Sequence, residues 1–149
     1  MAILLLVRTF ELDPKQKHNF NLDKVDIEDL RIHPIFVDYV KSFQPLLLNV
    51  FKYTNRATIM SKYLQQMGGK LMRYTKVSYK SSYWKVFEQA LIDVVSGGNA
   101  GDETIEALTI LANFCSEQMR IGFRIEYKLQ EAALRMVALQ ERKKVKKNK

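Results

Sequence analysis

Apolar residues recur along this chain at intervals of three and four, the spacing that gathers them on one face of an α-helix. Residues 2–12 carry Ile3, Leu4, Leu6, Val7 and Phe10 and read as a helix. Asp13-Pro14 then turns the chain. Proline suits a first helical turn, where its missing N–H costs nothing, so a short helix is expected over 15–20. Residues 21–31 are polar and acidic with isolated Leu22, Val25, Ile27 and Leu30, a surface connection with room for one helical turn. His33-Pro34 opens a longer helix in which Phe36, Tyr39 (or Val40), Phe43, Leu47, Val50 and Phe51 hold the period to about Tyr53. Pro45 lies inside it. An interior proline costs about 3 kcal/mol or kinks the helix, which predicts a bend before Pro45.

The next helix starts at Thr58 or Ser61 and stops near Tyr74, with Leu64, Met67, Leu71 and Tyr74 on one inward stripe. Gly68 and Gly69 sit within that stripe. Each weakens a helix by about 1 kcal/mol relative to alanine. Two readings follow: a helix end with a tight packing contact, or close approach to another backbone or a large flat ligand. Residues 75–82 form a polar, turn-like run around Val77 and Tyr79. A helix over 82–95 points Trp84, Phe87, Leu91, Val94 and Val95 inward. Residues 96–101, Ser-Gly-Gly-Asn-Ala-Gly, break the chain, and Asp102 is a suitable N-cap for the last helix. Its stripe runs through Ile105, Leu108, Ala112, Cys115, Met119, Gly122 and Phe123, weakens after Tyr127, and remains helical to about Gln140.

With 149 residues, six glycines and three prolines, the chain has the length for one buried core and little material for turns, so an all-α domain is expected. Net charge is +8, but six basic residues against Glu141 within 140–149 supply +5 of it. The body is therefore nearly neutral. Residues 141–149 read as a basic disordered tail able to touch an anionic membrane, and the body lacks the aromatic-interleaved basic face of a nucleic-acid binder. One cysteine excludes an internal disulfide and fits a reducing, cytoplasmic setting. The apolar start, Met1 to Val7, has no basic flank or cleavage site and reads as a core helix.

Catalytic material is sparse. His18 and His33 are the only histidines, one in a short charged helix and one at a helix start. Residues 97–101 lack the Lys-Ser/Thr of a phosphate loop. Cys115 lies on an inward stripe, where a thiol is inert. Nothing in these residues supports enzymatic turnover.

Five segments in order resemble the globin family, in the neuroglobin-like style common in invertebrates. Phe10-Glu11-Leu12-Asp13-Pro14 leading to Phe20 is similar to the aromatic–Pro–Phe run that packs on haem. His33-Pro34-Ile35-Phe36 resembles the start of the distal helix, and Leu64-Gln65-Gln66-Met67-Gly68-Gly69-Lys70 the approach to the proximal ligand. Tyr83 to Val95 and Gln118-Met119-Arg120-Ile121-Gly122-Phe123 resemble the last two helices. The likeness spans about residues 4–127.

The resemblance implies a globin-like fold of about six helices over residues 1–140, truncated at its N-terminal side. The family's first helix has no counterpart, which would leave an apolar surface open to a second copy or a protein partner. It implies haem as cofactor and oxygen or another diatomic gas as ligand. Phe20, Tyr39, Phe43, Leu47, Leu71, Val77 and Tyr83 would line the pocket, burying the porphyrin at about 25 cal/mol per Å². The family's iron-ligating histidine falls on Leu71, which has no donor atom. Iron would then rely on Tyr39, Met67, Met72 or water. The alternative is a haem-free globin fold serving as a sensor or protein-interaction module.

Overall fold

Wherever the three–four period is sustained the chain is helical. The computed structural model describes residues 1–74 and 80–148, and among these it contains helices and no strand. α1 spans Ala2–Leu12, α2 Pro34–Lys52, α3 Ala57–Tyr74, α4 Ser81–Ser96 and α5 Asp102–Lys147. Pro14–Phe20 and Ile27–Ile32 form 3₁₀ helices in the α1–α2 connection. Asn21 closes the first of these in the left-handed conformation, which asparagine tolerates better than most residues. Of the polar run expected over 75–82, residues 75–79 lie outside the described residues. No described helix is long and apolar enough to cross a membrane.

The inward stripes become the core. Leu64 and Met67 of α3 meet Ala112, Cys115 and Met119 of α5 among the buried residues. Phe10 of α1 packs edge-on against Phe20, with ring centroids 5.2 Å apart. Leu22 and Leu30, isolated in a polar stretch of sequence, are fully buried and pin the α1–α2 connection onto the core. α3 packs most extensively on α5, α4 lies against α5 and α1, and α2 against α3. Polar ties secure the N-terminal helix: the Arg8 guanidinium donates to Asp93 of α4 at 2.8 Å, and the Ala2 amide donates to Gln44 at 2.8 Å.

The α3–α5 crossing depends on two glycines. A Cβ built on Gly68 would lie 1.9 Å from the Met119 carbonyl oxygen, and one on Gly122 would lie 1.9 Å from the Gln65 carbonyl oxygen. The two helices touch backbone to backbone, each using its glycine to admit the other. Gly69 is different, because a Cβ there would make only ordinary contacts at 3.8 Å.

Four details differ from the sequence expectation. Tyr74 is exposed at the end of α3 instead of continuing the stripe, and Val95 is exposed at the end of α4. Gly101, not Asp102, is the N-cap of α5; Asp102 and Glu103 occupy its first turn, where their charge favours the helix dipole. The helix expected through Pro45 to about Tyr53 is present as α2. Pro45 and Lys41, whose carbonyl loses its usual donor, are both exposed, so water can satisfy that oxygen. Finally, 141–147, expected to be disordered, continue α5. No glycine or proline follows Gly122, lysine and arginine are good helix formers, and cations suit a helix C-terminus.

The crossing predicts opposite outcomes for adjacent glycines. Gly68→Ala and Gly122→Ala each drive a methyl group into backbone and are expected to cost about 3 kcal/mol or more. Gly69→Ala is expected to be neutral or to stabilise by up to about 1 kcal/mol, since alanine is the better helix former. Urea denaturation of the three variants checks this; equal losses at Gly68 and Gly69 would be the contrary result.

Candidate functional site

An apolar cavity of about 70 Å³ lies where α1, α2, α3, α4 and α5 converge. Five of the seven residues expected at a pocket line it: Phe20, Phe43, Leu47, Leu71 and Tyr83. They arrive from four elements, so their meeting is a product of the fold. Phe43 and Leu47 are one helical turn apart on the buried side of α2. Leu71 is half-buried, one turn beyond Met67, which also lines the cavity. Val77 lies outside the described residues.

Tyr39 stands apart. Its ring packs edge-on against Phe20 at 5.3 Å, but it borders a separate surface groove with Ile35, Asp38, Ser42 and Tyr74. Its hydroxyl donates to the Tyr74 carbonyl at 3.0 Å. Burial raises its pKa above the ordinary tyrosine value, more than a side-chain hydrogen bond with Asn21 lowers it. The phenol is therefore neutral near pH 7 and turned to a backbone oxygen, which disfavours the phenolate that iron would require.

Several lining residues carried no pocket role in the sequence reading. Ala2, Leu5 and Thr9 share the buried face of α1 and are not among the residues named for that helix, of which Ile3 and Leu4 are exposed. Trp84 and Phe87 lie on the inward stripe of α4, and Met119 on that of α5. Trp84 is buried, its indole N–H has no hydrogen-bond partner among the described residues, and its ring packs edge-on against Phe123 at 6.0 Å. The histidines lie elsewhere in the chain. His18 pairs with Asp23 at 2.7 Å in the solvent-exposed connection, and His33 immediately precedes α2.

The donors and the volume can be weighed against haem. A macrocycle needs room on the scale of a drug-sized ligand, roughly 300–1,000 Å³. At about 70 Å³ the cavity is well below that. Its lining supplies the thioethers of Met67 and Met119, the phenol of Tyr83 and the polar side chains of Thr9 and Gln16, while Leu71 has no donor atom. As it stands, the cavity does not fit a haem. Its size lies between the ~10–15 Å³ that admits one water and the ~150 Å³ of apolar cavities that stay dry and bind benzene or xenon. Among the described residues no group of three or more His, Cys, Asp and Glu is placed to hold a metal ion.

Around the cavity, polar contacts hold the helices in register. Gln65 of α3 donates to Gln118 of α5 at 3.0 Å, beside the glycine crossing. Lys70 donates to the Ser42 carbonyl and hydroxyl oxygens, both at 3.1 Å, tying α3 to α2. Ser116 of α5 donates to the Glu88 carboxylate of α4. No protein-family model, curated protein or solved structure matches the chain.

Cys115 is the buried thiol of this region, and burial pushes its pKa from an ordinary value near 9 up to about 12. Because the folded value is the higher one, the thiol's contribution to stability is complete below the ordinary value and is lost as pH rises towards about 12. Iodoacetamide at pH 8 is expected to label native Cys115 at least about 100-fold more slowly than the urea-unfolded chain. Melting temperature is also expected to fall more steeply above pH 9 in the native chain than in Cys115→Ala. Prompt native labelling would be the contrary result.

Proposed function

We propose that this chain is a haem-free, globin-like helical module whose core cavity takes a small apolar molecule, serving as a sensor or interaction domain without catalytic turnover. The carrying observation is a combination. Phe20, Phe43, Leu47, Leu71 and Tyr83 meet at one apolar cavity, yet the residue in the iron-ligating position is Leu71 and the volume is about 70 Å³. The family resemblance accounts for the meeting of these side chains. The leucine and the volume favour an occupant of a few atoms held by dispersion and by exclusion of water. A dissolved diatomic gas or a small hydrocarbon has this character.

A second reading, in which the cavity opens around haem and the chain binds oxygen or another diatomic gas through it, draws support from the same five residues. Titration with haemin separates the two. The expected result is an absorbance spectrum no different from free haemin. A sharp, stoichiometric, saturable Soret band would overturn the haem-free reading. Leu71→His supplies the missing donor and is expected to gain haemin binding over the native chain; no gain would mean that the cavity stays closed to a porphyrin.

The small-ligand reading has its own test. Xenon or benzene binds only the folded state and is expected to raise the melting temperature in a concentration-dependent way. Leu71→Phe fills the cavity and is expected to abolish that rise. An equal rise in both proteins would place the binding elsewhere.

A further inference from the structure

α5 divides into two halves of different character. Up to Phe123 it packs on α3 and α4 and buries Ala112, Cys115, Met119 and Phe123, while Ile110 on its outer side is exposed. Among the described residues, Arg73 near the end of α3 reaches Glu126 at 3.8 Å. Beyond it the helix continues to Lys147, and every residue from 131 to 148 is exposed. The segment 125–147 is about 35 Å long at 1.5 Å per residue.

That segment is not uniformly polar. Ile125, Leu129, Ala132, Met136 and Leu139 follow one another at four, three, four and three, the alternation of a coiled-coil seam. The four large members are each at least half exposed. Lys128, Arg135 and Arg142 recur at seven along one flank of the seam, all exposed. The other flank carries Glu126, Ala133, Gln140 and Lys147. Glu126 is engaged by Arg73.

These flanks determine which occupant fits. A second copy packed parallel would set Arg142 against Lys147 and offer no attractive flank pair. Packed antiparallel, it would set the basic flank against itself. Like charges at these positions select against such pairing. A membrane surface fits poorly too, because an interfacial helix keeps its apolar residues to one side. Here Leu134 and Val137 are exposed on the face opposite the seam.

We propose that the exposed half of α5 is a docking seam for a separate amphipathic helix whose flanking positions are acidic, so that glutamate or aspartate meets Lys128, Arg135 and Arg142. A seam of this length makes a small interface, which suits a reversible partner. The proposal does not depend on what occupies the core cavity.

The test uses the full chain and two labelled helical peptides, identical in their apolar heptad positions, one flanked by Glu and one by Lys. Fluorescence anisotropy is expected to show saturable binding of the Glu peptide that weakens with added salt, and binding of the Lys peptide at least about tenfold weaker. Leu129→Asp with Met136→Asp is expected to cost at least about tenfold in affinity while leaving the helical circular dichroism intact. Replacing Lys128, Arg135 and Arg142 together by Glu is expected to reverse the preference between the peptides. Equal binding of both peptides, or of neither, would overturn the proposal. So would a dimer of the chain alone, seen by sedimentation and abolished by the seam substitutions. Binding to phosphatidylserine vesicles without binding to the Glu peptide would favour a membrane role and overturn it as well.

Discussion

Helices α3 and α5 touch backbone to backbone at Gly68 and Gly122. Each glycine lies under a backbone carbonyl of the other helix, that of Met119 in one case and Gln65 in the other. The contact is reciprocal, so neither glycine suffices alone: a methyl group on either side would separate the helices. The consequences spread because the neighbours of the crossing are also the walls of the cavity. Met67 precedes Gly68 and lines the cavity, as does Met119, whose carbonyl Gly68 meets. Separating α3 from α5 would shift both thioethers and Leu71, and would pull Gln65 from Gln118. Helix register, cavity size and the placement of Leu71 therefore rest on one steric condition.

That condition is also where the sequence was most and least informative. Two adjacent glycines on an inward stripe signalled a close approach, and the structure contains one. Composition could not say which glycine admits it, or that the other party is backbone and not a flat ligand. Only the partner helix distinguishes Gly68 from Gly69, and the partner's own glycine lies more than fifty residues along the chain. Helix existence was legible because a period of three and four leaves little choice of secondary structure. The ends were less so. Asp102 is a good cap by residue type, yet Gly101 takes the position and the acid serves the helix dipole one residue later. The burial of Leu22 and Leu30 could not be seen locally, because it depends on which surface the connection crosses.

The pocket residues show a similar division. Phe20, Phe43, Leu47, Leu71 and Tyr83 are far apart in sequence, and the fold brings them to one apolar cavity. Tyr39 did not follow. On α2 it lies one turn before Phe43, but its hydroxyl donates to the Tyr74 carbonyl and its ring borders a separate groove. Position on a stripe predicts which face a residue occupies, while the destination of its polar tip depends on the acceptor that is nearest. Cavity volume is likewise invisible to sequence, being what remains after every neighbouring side chain has been placed.

The exposed half of α5 extends the same reasoning to a surface. Most helices in proteins draw their stability from packing an apolar face, and the first half of α5 does so against α3. The second half has no such support among the described residues, and relies on alanine, leucine, glutamate, lysine and arginine, with Glu131 placed four residues before Arg135. A segment stabilised only by propensity has no need of an apolar seam, since polar helix formers would serve as well and stay soluble. The regular recurrence of Ile125, Leu129, Ala132, Met136 and Leu139 in that segment is therefore unexplained by the stability of the single chain. Burial of those residues requires a second surface, and the basic flank at Lys128, Arg135 and Arg142 limits its charge.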